Sequence, residues 1–177
     1  ESFVSKYIFS MDHKTISRQF LITAVVMAVI AMMMSIIFRM QLAWPGEKFA
    51  FINALLGDKW GKDGILDPNM YLALVTIHGT IMVFFVLTGG LSGTFSNLLI
   101  PYQIGARDMA SGFLNMLSYW FFFLSSAIMV GSLFIEDGPA SGGWTIYPPL
   151  SALPEAMPGS KLGMTLWLIS MSLFIVS

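Results

Sequence analysis

One histidine, His78, lies inside the uncharged stretch YLALVTIHGTIMVFFVLTGG, which begins at Tyr71. Because an unpaired polar group in hydrocarbon costs several kcal/mol, its imidazole requires a hydrogen bond, an ion or a metal. A hydrogen bond to a carbonyl of a neighbouring helix would satisfy a lone histidine as well as a metal would. The adjacent Gly79 and the aromatic pair Phe84 and Phe85 favour a large flat cofactor such as haem, which needs space near its ligand and an apolar, aromatic wall.

The whole chain has the composition of a membrane protein. Of its 177 residues, 56% are apolar and 11% are charged, which reverses the balance typical of a soluble domain. It contains no cysteine, so disulfides, thiolate metal ligands and thiol nucleophiles are excluded within this sequence. A net charge of -1 without clusters of Lys and Arg argues against nucleic acid as a partner, because such binding depends on neutralising phosphates.

Four apolar runs predict the helices that position this histidine. A helix needs about 20 apolar residues to cross roughly 30 Å of hydrocarbon, and the first three runs are long enough. The fourth breaks off in mid-run, so we expect residues 1–177 to be a single transmembrane domain fragment of a longer polytopic protein. The predicted helices cover about 18–40, 68–99, 111–135 and 161–177, the last one truncated.

The second predicted helix carries local signals for its ends. Asp67 is a suitable N-cap, and Pro68 suits the first helical position, where its missing N–H costs nothing. Pro101 disfavours helix and predicts the other end. Within the helix, Gly89 and Gly93 form a GxxxG pair, a spacing that lets another helix or a flat ligand approach the backbone.

Four motifs occur in order along the chain: TIHGTIMVFF, GGLSGTFSNLLIP, IGARDMASGFLNMLSYW and GGWTIYPPLSALP. Together they resemble the N-terminal third of subunit I of the haem-copper oxidases, and the cytochrome c oxidase branch is the closest match. The resemblance covers essentially the whole chain, from DHKTIS at Asp12 onwards. It implies an all-α, polytopic transmembrane helix bundle, with four helices of a twelve-helix subunit in this sequence.

The resemblance also implies an activity. In this family a low-spin haem relays electrons to a haem-copper centre that reduces dioxygen to water, coupled to proton uptake and pumping. The implied cofactors are low-spin haem a, a second, high-spin haem, and copper, whose ligands would lie outside this sequence. The implied partners are oxidase subunits II and III, cytochrome c or a related electron-donating complex, dioxygen and membrane lipid. We expect an energy-transducing membrane, such as the bacterial inner membrane.

Four residues match haem-binding positions of the family. His78 resembles the axial ligand of the low-spin haem iron, and no other histidine of this chain is expected in the apolar core. Arg39 resembles the arginine on the formyl side of that haem, and Tyr71 a tyrosine near one propionate. Trp144 resembles a tryptophan whose indole N–H lies near the propionates of the second haem. Without the resemblance, Arg39 would be interpreted as a cation that extends from a helix end to the membrane surface. Tyr71 and Trp144 would be interpreted as aromatic residues at the membrane interface.

Three polar residues match a proton pathway that begins on the membrane face opposite the haems. Asp108 resembles the aspartate at the mouth of the D pathway of the family, and Asn97 and Asn115 resemble its asparagines. Such amides, together with water, can form a polar route through hydrocarbon without fixed charge. Without the resemblance, Asp108 would be interpreted as a solvent-exposed carboxylate in a loop, and the two asparagines as polar residues at helix ends.

The sequence departs from the family pattern at several positions. Arg107 replaces a proline before the aspartate, Met116 replaces a second asparagine, and Phe20 replaces a tyrosine near the mouth of the pathway. These changes predict a narrower or differently hydrated route. Gln41 replaces a glutamate that helps some relatives to bind calcium or sodium, so we predict no such cation site here.

Two other functions remain open on the sequence alone. A quinol oxidase of the same superfamily shares these motifs and differs mainly in the subunit that receives electrons. A proton-coupled transporter without haem would use His78 and Asp108 as a proton relay.

Overall fold

The computed structural model describes residues 3–153 and 161–177. Within these ranges all regular secondary structure is helical. Three helices are long and apolar enough to cross a membrane, and the last helix is apolar but shorter. The fold is therefore an all-α, polytopic transmembrane bundle, as the sequence predicts. We name the helices α1 (His13–Ala43), α2 (Ala50–Trp60), α3 (Pro68–Ile104), α4 (Gly112–Gly131) and α5 (Lys161–Val176).

The first transmembrane helix starts earlier than the predicted residue 18. Helix α1 begins at His13 because Asp12 is its N-cap, and the Asp12 carboxylate accepts hydrogen bonds from the backbone N–H and the hydroxyl of Thr15. The polar first turn carries too little hydrophobicity to be recognised from the apolar run alone. Helix α2, a short element between the first two membrane-spanning helices, was not predicted.

Helix α3 begins where its capping signals predict. The Asp67 carboxylate accepts hydrogen bonds from the backbone N–H groups of Asn69 and Met70, and Pro68 occupies the first helical turn. These contacts confirm the predicted start of the second transmembrane helix.

The predicted end of this helix at residue 99 was wrong. Helix α3 continues through Pro101 to Ile104 and ends at Gly105, which adopts the left-handed conformation with φ 70°. Proline removes the N–H that would bond to the carbonyl four residues earlier, which is that of Asn97. The imidazole of His13 donates to this carbonyl from Nδ1 at 2.8 Å, so the hydrogen bond lost inside α3 is replaced from α1.

Helices α1 and α3 pack antiparallel along most of their length. Between the levels of Ala24 and Ala31, helix α3 needs more residues than α1 to span the same length. The segment Ile81–Ser92 is a π-helix there. Its i→i+5 hydrogen bonds place more residues in each turn, which absorbs the difference. The paired positions are His13 with Asn97, Ser17 with Thr94, Phe20 with Gly93, Ala24 with Gly90, Ala31 with His78, and Phe38 with Tyr71.

The two glycines of the GxxxG motif do not share one contact face. A Cβ added at Gly93 would lie 2.7 Å from the Phe20 ring of α1, whereas one added at Gly89 would lie 2.6 Å from the Phe122 ring of α4. A tight contact with α1 is instead at Gly90, where an added Cβ would lie 2.3 Å from that of Ala24. Both Gly89 and Gly90 lie in the π-helical segment, whose altered winding changes the faces that the spacing predicts.

We expect Gly90→Ala to destabilise the protein, because the new methyl group would collide with the Ala24 side chain and with the Phe85 carbonyl. Overpacking of this kind lowers the free energy of unfolding by about 1–3 kcal/mol. The thermal unfolding midpoint of the purified protein in detergent measures the effect. Gly131→Ala is the matched control, because a Cβ there meets nothing within 4 Å and alanine favours helix. Equal midpoints for the two variants would contradict this packing.

Helices α4 and α5 complete the bundle. Helix α4 runs in the same direction as α1, since its first residue, Gly112, lies against Met11. Helix α5 runs antiparallel to α4, and a reciprocal pair of hydrogen bonds joins them: each hydroxyl of Ser125 and Ser170 donates to the backbone carbonyl of the other residue. These buried hydroxyls supply the interhelical polar contacts that stabilise packing within a membrane.

Candidate functional site

His78 makes a hydrogen bond that determines which of its ring nitrogens carries the proton. Nδ1 lies 2.8 Å from the backbone carbonyl of Ala31 on α1. A carbonyl only accepts, so Nδ1 carries a proton, and in the neutral imidazole Nε2 then keeps its lone pair. Among the described residues, Nε2 has no hydrogen-bond partner. The ring is thus oriented by a helix carbonyl and at the same time presents an unprotonated nitrogen that can ligate a metal.

Phe38 connects the candidate residues on α1 and α3. Its buried ring meets the His78 imidazole edge-on at a centroid distance of 5.5 Å and the Tyr71 ring at 6.0 Å. It therefore restricts both side chains from the α1 side. The sequence reasoning missed Phe38, and its only signal was its position directly before Arg39.

Arg39 lies on the exposed surface of the same stretch of α1. Its Nε donates a hydrogen bond to the Ser35 hydroxyl, one helical turn earlier, at 2.9 Å. Along α1, Arg39 is about 12 Å beyond Ala31, the partner of His78. The structure therefore brings His78 and Tyr71 together through Phe38 and leaves the Arg39 guanidinium exposed near them.

Trp144 packs on a neighbouring face of α3. Its Cδ1 lies 3.2 Å from the position of a Cβ at Gly79, and its ring lies 6.1 Å from that of Phe84. The loop that carries it is held by Gly143, whose N–H donates to the Thr76 hydroxyl at 2.9 Å. Because consecutive helical residues point about 100° apart, the indole lies beside the histidine face and not on it. Thr76 was not singled out from the sequence, since its role depends on a distant loop.

One apolar cavity among the described residues is separate from the histidine. It has a volume of about 540 Å³ and lies among α1, α2, the start of α3 and the segment that follows α4. Its apolar lining includes Met33, Leu55, Trp60, Leu74 and Phe134, and His78 is not part of it.

The opposite end of the bundle holds a polar cluster around His13. The backbone N–H of His13 donates to Asp108 Oδ1 at 3.2 Å, while its imidazole donates to the Asn97 carbonyl. Asp108 thus lies at the N-terminus of α1, where the free N–H groups of the first turn stabilise negative charge. The His13 side chain is only 1% exposed, and its ring meets that of Tyr102 edge-on. His13 is therefore buried at the polar end of the bundle, because α3 extends past Pro101 and places Tyr102 against it.

Asn97 and Asn115, the two amides of the expected pathway, each have a buried polar atom without a hydrogen-bond partner in the described part of the chain. Asn97 Nδ2 donates to the Gly93 carbonyl at 2.7 Å, but its Oδ1 has no partner among the described residues. Asn115 Nδ2 on α4 is likewise buried without one. Buried polar groups of this kind are commonly satisfied by ordered water. The arrangement therefore suits a hydrated path that begins at Asp108.

The departures from the family pattern have distinct environments. Arg107 is exposed in the loop beside Asp108, Met116 is half-buried against the core, and Phe20 is buried. Gln41 has a structural contact: its Oε1 accepts a hydrogen bond from the Leu66 N–H at 3.0 Å, which ties the end of α1 to the segment before α3.

Comparison with known proteins gives one consistent result. Residues 15–177 match the family model described as Cytochrome C and Quinol oxidase polypeptide I. The chain is 39% identical over 99% of its length to "Alternative cytochrome c oxidase subunit 1" of Bradyrhizobium diazoefficiens, of which it covers 27%. It is 38% identical over 83% of its length to cytochrome c oxidase subunit 1 of Thermostichus vulcanus, covering 23% of that protein. It is 36% identical over 99% of its length to "Heme-copper oxidase subunit I+III" of Aeropyrum pernix, covering 19%. The chain thus spans about a quarter of the length of these relatives.

Proposed function

This chain belongs to the cytochrome c and quinol oxidase polypeptide I family, and from that membership we propose that it forms part of the catalytic subunit of a cytochrome c oxidase. In this role it binds the low-spin haem and provides the mouth of a proton pathway. Residues 1–177 are one transmembrane domain of the longer subunit.

The observation that carries this proposal is the state of His78. Its Nδ1–H donates to the Ala31 carbonyl, which leaves Nε2 available as an axial ligand of haem iron. When bound, the haem supplies reversible one-electron transfer. The protein holds the imidazole at a set orientation through the Ala31 carbonyl and the Phe38 ring.

Other residues of the site would orient the haems through contacts with their edges. Arg39 has an exposed guanidinium that can contact the formyl side of the low-spin haem, and Tyr71 can hydrogen-bond to a propionate. Trp144 would contact the propionates of the second, high-spin haem. Phe38 restricts the His78 ring, since it packs edge-on against it.

Protons enter through Asp108 and continue along Asn97 and Asn115. The carboxylate is exposed at the N-terminus of α1, so it exchanges protons with water. The two amides follow it inside the bundle and can hydrogen-bond to water through their unsatisfied atoms. This route conducts protons without placing a fixed charge in hydrocarbon.

The copper of the proposed oxidase is held outside this chain. The sequence has two histidines and no cysteine, and the described residues contain no group of three potential ligands that could hold a metal ion. His13 and His78 act at levels of α1 that are about 27 Å apart, so they cannot share one metal. The proposed partners are oxidase subunits II and III, with cytochrome c as electron donor and dioxygen as acceptor, in the bacterial inner membrane.

Visible spectroscopy of the full-length purified oxidase tests this proposal. We expect the dithionite-reduced protein to show a low-spin haem band, and we expect reduced cytochrome c to support oxygen consumption. If quinol but not cytochrome c supported oxygen consumption, the electron donor would be quinol and the proposed donor would be wrong. A protein that lacks the low-spin band would be a transporter without haem, and the proposal would be wrong.

A further inference from the structure

A buried pair of hydroxyl groups joins α1 to α4. The Thr23 hydroxyl lies 3.2 Å from the Tyr119 hydroxyl, and either oxygen can be the donor. Thr23 is 8% exposed and Tyr119 is 7% exposed, so the pair is shielded from lipid. Hydrophobic packing alone does not require these hydroxyls, because valine and phenylalanine have nearly the same shapes.

The hydrogen bond of Thr23 differs from those of other threonines within these helices. A hydroxyl that donates to its own helix has a fixed direction, because a carbonyl only accepts. The Thr23 hydroxyl instead faces another hydroxyl, so the hydrogen bond between them can reverse its direction. The threonines that donate to a carbonyl of their own helix are Thr76, Thr80, Thr88, Thr94 and Thr165.

The pair lies deeper in the bundle than the polar cluster at Asp108. Thr23 is about 15 Å along α1 from His13, and Ala31, the partner of His78, is about 12 Å further. On α4, Tyr119 follows Asn115 by one helical turn, so the two side chains share a face. The unsatisfied Asn115 Nδ2 is thus the neighbouring polar group on the side of Asp108.

Aromatic rings surround the pair. Phe20 meets the Tyr119 ring edge-on at 5.3 Å, and Phe20 also packs on Phe122 at 5.0 Å. Neither phenylalanine offers a polar atom. About one helical turn inwards from Asn115, the hydroxyls of Thr23 and Tyr119 therefore offer a pair of polar groups between these rings.

We propose that Thr23 and Tyr119 form a hydroxyl relay that carries protons from the Asn97 and Asn115 region towards the level of His78. This inference rests on the proposed function. In each transfer, one hydroxyl receives a proton from a water on the Asp108 side and releases its own proton to the other hydroxyl. The second hydroxyl releases a proton to a water on the inner side. Both side chains end chemically unchanged, and reorientation of their O–H bonds resets the pair.

The test uses the full-length oxidase reconstituted in vesicles. Proton uptake is followed with a pH indicator after the fully reduced enzyme is mixed with dioxygen. We expect Tyr119→Phe and Thr23→Val each to slow proton uptake by about 2- to 10-fold, the range expected when one hydrogen bond is lost from the rate-limiting path. The double variant should be no slower than the slower single variant, because both changes interrupt one relay. Thr23→Ser, which keeps the hydroxyl, should retain the wild-type rate.

Ser126→Ala is the matched control on α4. It removes a buried hydroxyl that donates to the carbonyl of Phe123 in its own helix, so it should not change proton uptake. Wild-type rates in both Thr23→Val and Tyr119→Phe would overturn the relay, and so would equal slowing in Thr23→Ser and Thr23→Val. Should Tyr119→Phe not assemble, the comparison of Thr23→Val with Thr23→Ser decides the question. If the relay is overturned while every variant keeps the low-spin haem band and Asp108→Asn takes up protons slowly, the relay alone is wrong. The proposed function then still stands.

Discussion

Replacing His78 with alanine is expected to abolish the low-spin haem band of the full-length oxidase. The substitution removes the Nε2 ligand, and the Ala31 carbonyl loses the donor that orients the ring. The other histidine cannot take its place, because His13 lies about 27 Å away along α1 and bonds to the Asn97 carbonyl. We expect complete loss of the band in the reduced-minus-oxidised spectrum, together with loss of cytochrome c oxidation.

His13→Gln is the control for this experiment. Glutamine is polar and can donate to the Asn97 carbonyl, so the protein should assemble with its low-spin band intact. If His78→Ala left the spectrum unchanged, His78 would not be the axial ligand. If His13→Gln removed the band as completely, the effect would be one of folding and not of ligation.

Replacing Asp108 with asparagine is expected to slow proton uptake and turnover by roughly 10²-fold, the lower range for loss of a positioned acid–base group. The asparagine side-chain oxygen can still accept the hydrogen bonds from the backbone N–H groups of His13 and Met109. The helix start should therefore keep its structure, while the group that exchanges protons with water is lost. Oxygen consumption and proton release by reconstituted vesicles measure the effect, and the haem spectrum should remain unchanged.

Asp12→Asn is a control with the same change of charge at the same helix end. Asp12 caps α1 through Thr15, and asparagine is an equally good N-cap. We expect near wild-type turnover for Asp12→Asn. Unaltered turnover and pumping in Asp108→Asn would exclude this aspartate as the mouth of the pathway. Equal slowing in both variants would mean that the net charge of this surface matters, and not the position of one carboxylate.

Much of the bundle could be predicted because the signals are local. The spacing of long apolar runs indicates membrane helices, and the Asp67–Pro68 pair marks the start of α3 since both residues act within one turn. The demand of a buried imidazole for a partner follows from the cost of desolvation, so His78 was identified from its surroundings in the chain. The ordered motifs then indicated the family, which the match over residues 15–177 confirms.

Other features depended on the tertiary structure. The course of α3 through Pro101 depends on a hydrogen bond from His13, and the pairing of Thr23 with Tyr119 joins two different helices. The contact of Gly90 with Ala24 follows from π-helical winding that a fixed 3.6-residue period does not contain. The sequence by itself determined which segments enter the membrane and which polar groups need a partner, because both follow from local hydrophobicity and capping. Only the tertiary structure decided which groups are those partners. They belong to residues that are far apart along the chain, and helix packing brings them within hydrogen-bonding distance.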